Sequence, residues 1–174
     1  MSLYQRIHGD LWRNIWVVGD LHGCYALLMQ HLERIAFQPM QDLLISVGDL
    51  IDRGSEDVEC LMMLNQPWFR AVRGNHEEMM LDALEGNGHT NLWVANGGGW
   101  YFDLNVNEQH RVKALLYRIA ELPLIIEVVT GDKKWLSAMR TTRTTIMPST
   151  NRLTLFRWCG TASVLIAPSA APCV

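Results

Sequence analysis

The sequence predicts a layered α/β fold with parallel strands, and three observations carry that prediction. Short apolar runs at Ile15-Trp16-Val17-Val18, Leu43-Leu44-Ile45-Ser46-Val47 and Phe69-Arg70-Ala71-Val72 have the length and β-branched character of buried strands. Each run ends in a glycine-bearing polar segment: Gly19-Asp20, Gly48-Asp49 and Arg73-Gly74-Asn75-His76. Each is followed by a stretch of helical periodicity, so the repeating unit is strand, loop, helix.

The helices follow from spacing and from their ends. Tyr25 to Ile35 places Leu27, Leu28, Leu32 and Ile35 at helical intervals. Val58 to Leu64 is a second helix, opened by Ser55 with acidic Glu56 and Asp57 near its positive end. A third runs from about Glu77 to Leu84 and is closed by Gly86. Asn96-Gly97-Gly98-Gly99-Trp100 has neither the strand before nor the helix after that a phosphate cradle requires, so it reads as a flexible surface loop near the site. Glu108 to Leu122 is a helix ended by Pro123. Leu124 to Val129 is a fourth strand, and Gly131-Asp132 a turn. No internal repeat is present.

Composition narrows the function. A chain of 174 residues, nearly half of them apolar, has the size and content of one globular domain. A net charge of -3 gives no basic footprint for nucleic acid. The first ten residues carry no apolar run of the kind a signal peptide needs, and no segment approaches the roughly 20 apolar residues that span a bilayer. The four cysteines, Cys24, Cys60, Cys159 and Cys173, lack paired metal-binding spacing and read as buried or incidental thiols. The expectation is a reduced, cytoplasmic protein without nucleic-acid or membrane partners.

Chemistry concentrates at the three strand ends, where ligands bind in open α/β sheets. Gly19-Asp20-Leu21-His22-Gly23, Gly48-Asp49-Leu50-Ile51-Asp52-Arg53-Gly54 and Arg73-Gly74-Asn75-His76-Glu77 are each unremarkable alone. Together they deliver carboxylates, an amide, two imidazoles and a guanidinium to one edge. Asp20, His22, Asp49 and Asn75 form a mostly oxygen donor set with one imidazole. That set suits Mn²⁺ or Fe²⁺ and not a structural zinc, which favours thiolates. One carboxylate can bridge two ions of a hydrolytic pair. Arg53 has the planar fork that matches a phosphate. His76 can protonate a leaving alkoxide, with Asp52 orienting it from behind.

These three segments resemble the first three signature motifs of the metallophosphoesterase superfamily, in the spacing of its phosphoprotein phosphatase branch and closest to bacterial and phage serine/threonine members. The resemblance covers roughly Met1 to Lys134. It implies a calcineurin-like β-sandwich flanked by helices. It also implies two divalent metal ions, most simply Mn²⁺, with Asp20 and His22 on the first, Asn75 on the second and Asp49 bridging both. Arg53 would hold phosphate and His76 would be the proton donor. The implied substrates are phosphorylated proteins or peptides. Hydrolysis of dinucleoside polyphosphates is the alternative within the superfamily, and a non-catalytic remnant the alternative outside enzymes.

The carboxyl-terminal part departs from that pattern. The family uses two further histidine ligands and a second arginine after the third motif, yet no histidine follows His110. From Leu136 to Val174 there is no Asp, Glu or Lys. Read one base out of frame, codons for Trp135 through Arg143 permit Val-Ile-Cys-His-Ala-Asp-Tyr-Pro, and those for Cys159 through Leu165 permit Trp-Asn-Arg-Glu-Arg-Val. Both resemble the family's expected sequence. The expectation is therefore a phosphatase domain over 1–134 and a non-homologous, frameshifted tail over 135–174. The fold would be incomplete and activity impaired. Within that tail Val164-Leu165-Ile166 has strand character but no evident partner.

Overall fold

The computed structural model describes residues 3–86, 88–131, 133–138, 154–158 and 162–167, the last three stretches by their backbone. Two sheets form its centre. In the larger, β2 (Asn14–Val18), β3 (Asp42–Ser46) and β4 (Phe69–Ala71) lie parallel, as the strand-loop-helix repeat predicts. The smaller sheet joins β1 (Tyr4–His8) in parallel to β5 (Ile125–Thr130), whose other edge pairs antiparallel with β6 (Lys133–Ala138). The sequence reading had no strand at Tyr4–His8. Its alternation of polar and apolar residues is short, and its pairing partner lies more than a hundred residues away.

The period of two in β3 explains the layers. Leu43 and Ile45 point to one face and pack with Ile7 of β1 and with Ile126 and Val128 of β5. Leu44 points to the other face and joins Val18, Leu28, Leu61 and Leu115 beneath the helices. All three β3 residues are essentially inaccessible. The strand is thus apolar on both faces because one covers a second sheet and the other covers helices. A β-sandwich with flanking helices is what results.

The helices are α1 (Tyr25–Arg34), α2 (Asp57–Met62), α3 (Asn75–Leu84), α4 (Thr90–Trp93), α5 (Trp100–Asp103) and α6 (Val106–Ala120). In α6, Asn105 and Glu108 cap each other's backbone N–H groups. Two expectations are corrected. First, α3 begins at Asn75, two residues earlier than its apolar periodicity suggests, because the His76 N–H finds an acceptor in the Asp49 carboxylate outside the helix. Second, the Asn96–Trp100 segment is not a flexible surface loop. Val94–Gly98 forms a π-helical turn between α4 and α5, with Gly98 buried.

In the tail, β7 (Thr154–Trp158) and β8 (Ala162–Ala167) form an antiparallel pair. β8 continues the larger sheet, with Val164, Leu165 and Ile166 opposite Val18, Val17 and Trp16. The segment for which the sequence offered no partner therefore pairs with the edge of β2 that β3 leaves open. The remaining tail residues, on which the out-of-frame reading also bears, lie outside the described residues.

The two-faced burial of β3 makes a stability prediction. Leu44→Ala or Ile45→Ala should each lower unfolding free energy by about 2–5 kcal/mol, the cost of a large core truncation. Met40→Ala, at a side chain 89% exposed, should change it by no more than about 0.5 kcal/mol. Urea unfolding of the three variants checks this.

Candidate metal and phosphate site

The loops after β2 and β3 are stitched together before any side chain is considered. Leu21 and His22 both donate backbone N–H to the Asp49 carbonyl, at 2.9 and 3.0 Å, and Gly23 donates to the Leu50 carbonyl at 2.9 Å. Gly54 lies so close to this strand that a Cβ there would sit 2.1 Å from the His22 carbonyl oxygen. Gly74 is similarly pressed against Asp49. The glycines flanking the motifs are thus explained by close backbone approach.

One carboxylate locks the third segment to the second. Glu77 is fully buried and accepts three backbone N–H groups: Asp49 at 2.9 Å, Gly74 at 2.8 Å and Leu50 at 2.8 Å. Burial, and then the neighbouring Asp49 charge, pushes its pKa up to about 7 against the pull of those three donors. Asp57 does the same within the second loop. Buried at the start of α2, it accepts the Asp52 N–H at 2.7 Å, and burial pushes its pKa up to about 7. Glu56 accepts the Ala26 N–H of α1 at 2.9 Å. The sequence reading placed Glu56 and Asp57 at α2 for the helix dipole. Their structural work is to hold loops.

The side chains that result face one another. His22, Asp49 and His76 are buried, and a ligand atom from each lies within 4.8 Å of the others. The two imidazoles meet edge to face with centroids 4.8 Å apart. His22 Nδ1 donates to the Ile51 carbonyl at 3.0 Å, since a carbonyl can only accept. That leaves the Nε2 lone pair facing the site, where the Arg53 guanidinium donates to it at 3.1 Å. His76 Nδ1 donates to Asp52 at 2.6 Å, which turns Nε2 toward the site. Arg53 is exposed at the rim of the site.

The other sequence candidates fall close by. Asp20, half-buried beyond β2, interacts electrostatically with Asp49, His22 and His76; its pKa is raised by burial first and by the Asp49 charge second. Asn75 stands exposed at the first turn of α3, beside His76. His89 and His110 are exposed and far along the chain from the motifs, as expected of surface residues. Cys60 is buried, and burial pushes its thiol pKa up, which makes it inert.

The donor set fits a divalent cation. His22 offers a lone pair with its other nitrogen fixed by a carbonyl, the arrangement that orients metal-binding imidazoles. The Asp49 charge adds to burial in raising the proton affinity of the Asp20 carboxyl, and a cation beside Asp20 would oppose both. Sequence reasoning missed Trp93 and Trp100, whose indole N–H groups both reach Asp52. Nothing in local periodicity marks them, although Trp100 does close the glycine triplet.

Residues 13–159 match the family model of calcineurin-like phosphoesterases. The chain belongs to the calcineurin-like phosphoesterase family. It is 52% identical over 132 residues to the serine/threonine-protein phosphatase 2 of Escherichia coli K12, covering 76% of this chain and 60% of that protein. It is 49% identical over 127 residues to the serine/threonine-protein phosphatase 1 of Salmonella typhimurium LT2, covering 73% and 58%. A symmetrical bis(5'-nucleosyl)-tetraphosphatase of Xanthomonas campestris is 42% identical over 72 residues, covering 39% of this chain and 22% of that protein. The chain thus spans about three fifths of the length of the two phosphatases it matches. Family membership carries with it a dinuclear metal site.

Two predictions follow from the site's groups. Asp49→Asn should weaken Mn²⁺ binding in calorimetric titration by roughly tenfold or more, the scale of losing a ligand or its direct support. His89→Ala and His110→Ala should leave it unchanged; equal losses in all three would remove Asp49 from the ligand set. Asp57 makes a prediction about pH. Its folded pKa of about 7 lies above the 3.8 usual for an aspartate, so the stability it contributes is full below pH 4 and lost as pH rises through 7. Asp57→Asn keeps the acceptor for the Asp52 N–H and cannot ionise. Between pH 4 and 7 the variant should gain stability relative to the parent, and above 7 the difference should level off.

Proposed function

We propose that this chain is the motif-bearing part of a metal-dependent phosphoprotein phosphatase that hydrolyses phosphomonoesters of serine and threonine, and of tyrosine where the pocket admits it. The observation that supports this most is the buried Asp52–His76 pair opening onto His22 and Asp49 beside an exposed Arg53. Asp20, His22, Asp49 and Asn75 would hold two divalent ions, with Mn²⁺ favoured and Fe²⁺ the alternative. When bound, the ions supply Lewis-acid charge and lower the pKa of water.

The chain's own residues do the rest. The Arg53 fork binds two phosphate oxygens and sets the ester's orientation. His76, held through Nδ1 by Asp52, presents Nε2 to the leaving oxygen and gives it a proton. His22 stays in one tautomer because the Ile51 carbonyl accepts its Nδ1–H. The cytoplasm is the proposed compartment, supported by the reduced, buried thiol of Cys60. Among the described residues no helix is long and apolar enough to cross a membrane.

The phosphatase reading is favoured over dinucleotide hydrolysis because identity to the phosphatases extends over 132 residues, against 72 for the tetraphosphatase. We place the loss of the family's later ligands in a frameshift near Lys134-Trp135. Restoring the frame should therefore raise Mn²⁺-dependent turnover well above that of the 174-residue chain. In the restored chain, His76→Asn should depress hydrolysis of a phosphoserine peptide by about 10²-fold or more and that of p-nitrophenyl phosphate far less, because the aryl leaving group needs little protonation. Arg53→Ala should slow both. Equal losses at His76 on the two substrates would exclude it as the acid. Turnover of a dinucleoside tetraphosphate without turnover of the phosphopeptide would reverse the choice of substrate.

A further inference from the structure

Asp52 is completely buried, yet among the described residues no lysine or arginine donates to its carboxylate. Its partners are one imidazole and two indoles. Trp93 Nε1 donates to both carboxylate oxygens, at 3.1 and 3.0 Å, and Trp100 Nε1 donates to Oδ1 at 2.8 Å. Oδ2 also receives His76 Nδ1 at 2.6 Å. Both carboxylate oxygens are therefore held by indole donors, Oδ2 together with His76, and the carboxylate cannot rotate without giving up an indole.

The two tryptophans come from different helices, α4 and α5, and the turn between them is shaped to bring them together. Gly97 sits at φ +113, and a Cβ there would lie 2.9 Å from the Arg53 nitrogen and 3.2 Å from the Asp52 Cβ. At Gly98 a Cβ would lie 2.3 Å from the Trp93 indole. A buried indole N–H usually finds an acceptor, so one such bond would be ordinary core satisfaction. Two indoles from two elements meeting on the carboxylate that orients a histidine is a more specific arrangement. Second partners of this kind set the tautomer and direction of the imidazole beyond them.

We propose that Trp93 and Trp100 are positioning residues for the proton donor: their indole N–H groups fix the Asp52 carboxylate, and through it hold His76 as the Nδ1–H tautomer with Nε2 facing the site. The geometry stands without the phosphatase reading; only its catalytic consequence rests on that reading. An indole N–H can donate but never accept, so it holds the carboxylate oxygens as acceptors and competes with nothing His76 requires.

The test uses the 174-residue chain without added metal. Long-range ¹H–¹⁵N spectra of histidine side chains, taken at one pH where imidazoles are neutral, report the His76 tautomer directly. Trp100, only partly buried, is replaced by Phe; at the fully buried Trp93, benzothienylalanine keeps the shape and removes only the N–H. The parent should show His76 as a single Nδ1–H tautomer, and each variant a mixture of both. Asp52→Asn should shift the indole N–H signals of Trp93 and Trp100 and leave those of the other five of the chain's seven tryptophans in place. A variant that keeps the parent's single tautomer would overturn the proposal, as would indole signals that ignore Asp52→Asn. In a chain active on phosphopeptide, Trp100→Phe should cost about tenfold on that substrate and little on p-nitrophenyl phosphate; equal losses would mean the indole is structural only. Absence of turnover on every phosphoester would sink the phosphatase reading while leaving the tautomer result to decide this one.

Discussion

The whole site hangs on the Glu77 carboxylate. Its two oxygens accept the N–H groups of Asp49, Leu50 and Gly74, which belong to the loop after β3 and the entrance to α3. Neither loop has regular secondary structure to satisfy those donors, and buried backbone N–H groups left unpaired would each cost about 1–3 kcal/mol. Glu77 therefore decides that Asp49 and His76 share a cavity. The arrangement is costly in its own right, since burial and the Asp49 charge raise the Glu77 pKa to about 7. The Asp49 carboxylate adds a second link between the two loops by accepting the His76 N–H at 3.1 Å.

Backbone strain is concentrated at the same place. Five non-glycine residues of the described chain have left-handed φ, and four of them are His22, Asp49, Asp52 and Arg53. Such conformations cost of order 1–3 kcal/mol each and survive only when surrounding contacts over-determine them. Here those contacts can be named. The Asp49 carbonyl takes two N–H groups from the loop after β2, Asp57 takes the N–H of Asp52, and His22 Nδ1 reaches Ile51. The left-handed turns aim successive side chains into one cavity, where extended backbone would alternate them to opposite faces.

The sandwich supplies the rigid floor for these loops. Leu43 and Ile45 anchor β3 to the smaller sheet while Leu44 anchors it to the helices, so the loop that carries Asp49, Asp52 and Arg53 leaves a strand held on both faces. β8 pairs with the remaining edge of β2 and extends the sheet. Loops on an element fixed in this way can hold their geometry without regular structure of their own.

Much of this was legible in the sequence. The parallel β2, β3 and β4, the helices between them and the placing of Asp20, His22, Asp49, Asp52, Arg53, Asn75 and His76 at strand ends all follow from apolar runs and glycine-flanked polar segments, because those signals are local. Where the sequence reading failed, the cause lay in contacts between distant residues. Tyr4–His8 becomes a strand only because β5 lies beside it, and Val164–Ile166 finds its partner only because β2 has an open edge. The Asn96–Trp100 segment reads as a loop from its glycines, yet those glycines are what allow a helical turn to press against Asp52 and Trp93. Glu56, Asp57 and Glu77 look like ordinary helix-start acids until the folded chain brings orphaned N–H groups to them. A sequence specifies which donors and acceptors exist and which side chains must leave water; only the tertiary structure decides which of them meet, since hydrogen bonds act over about 3 Å and the chain between partners is far longer.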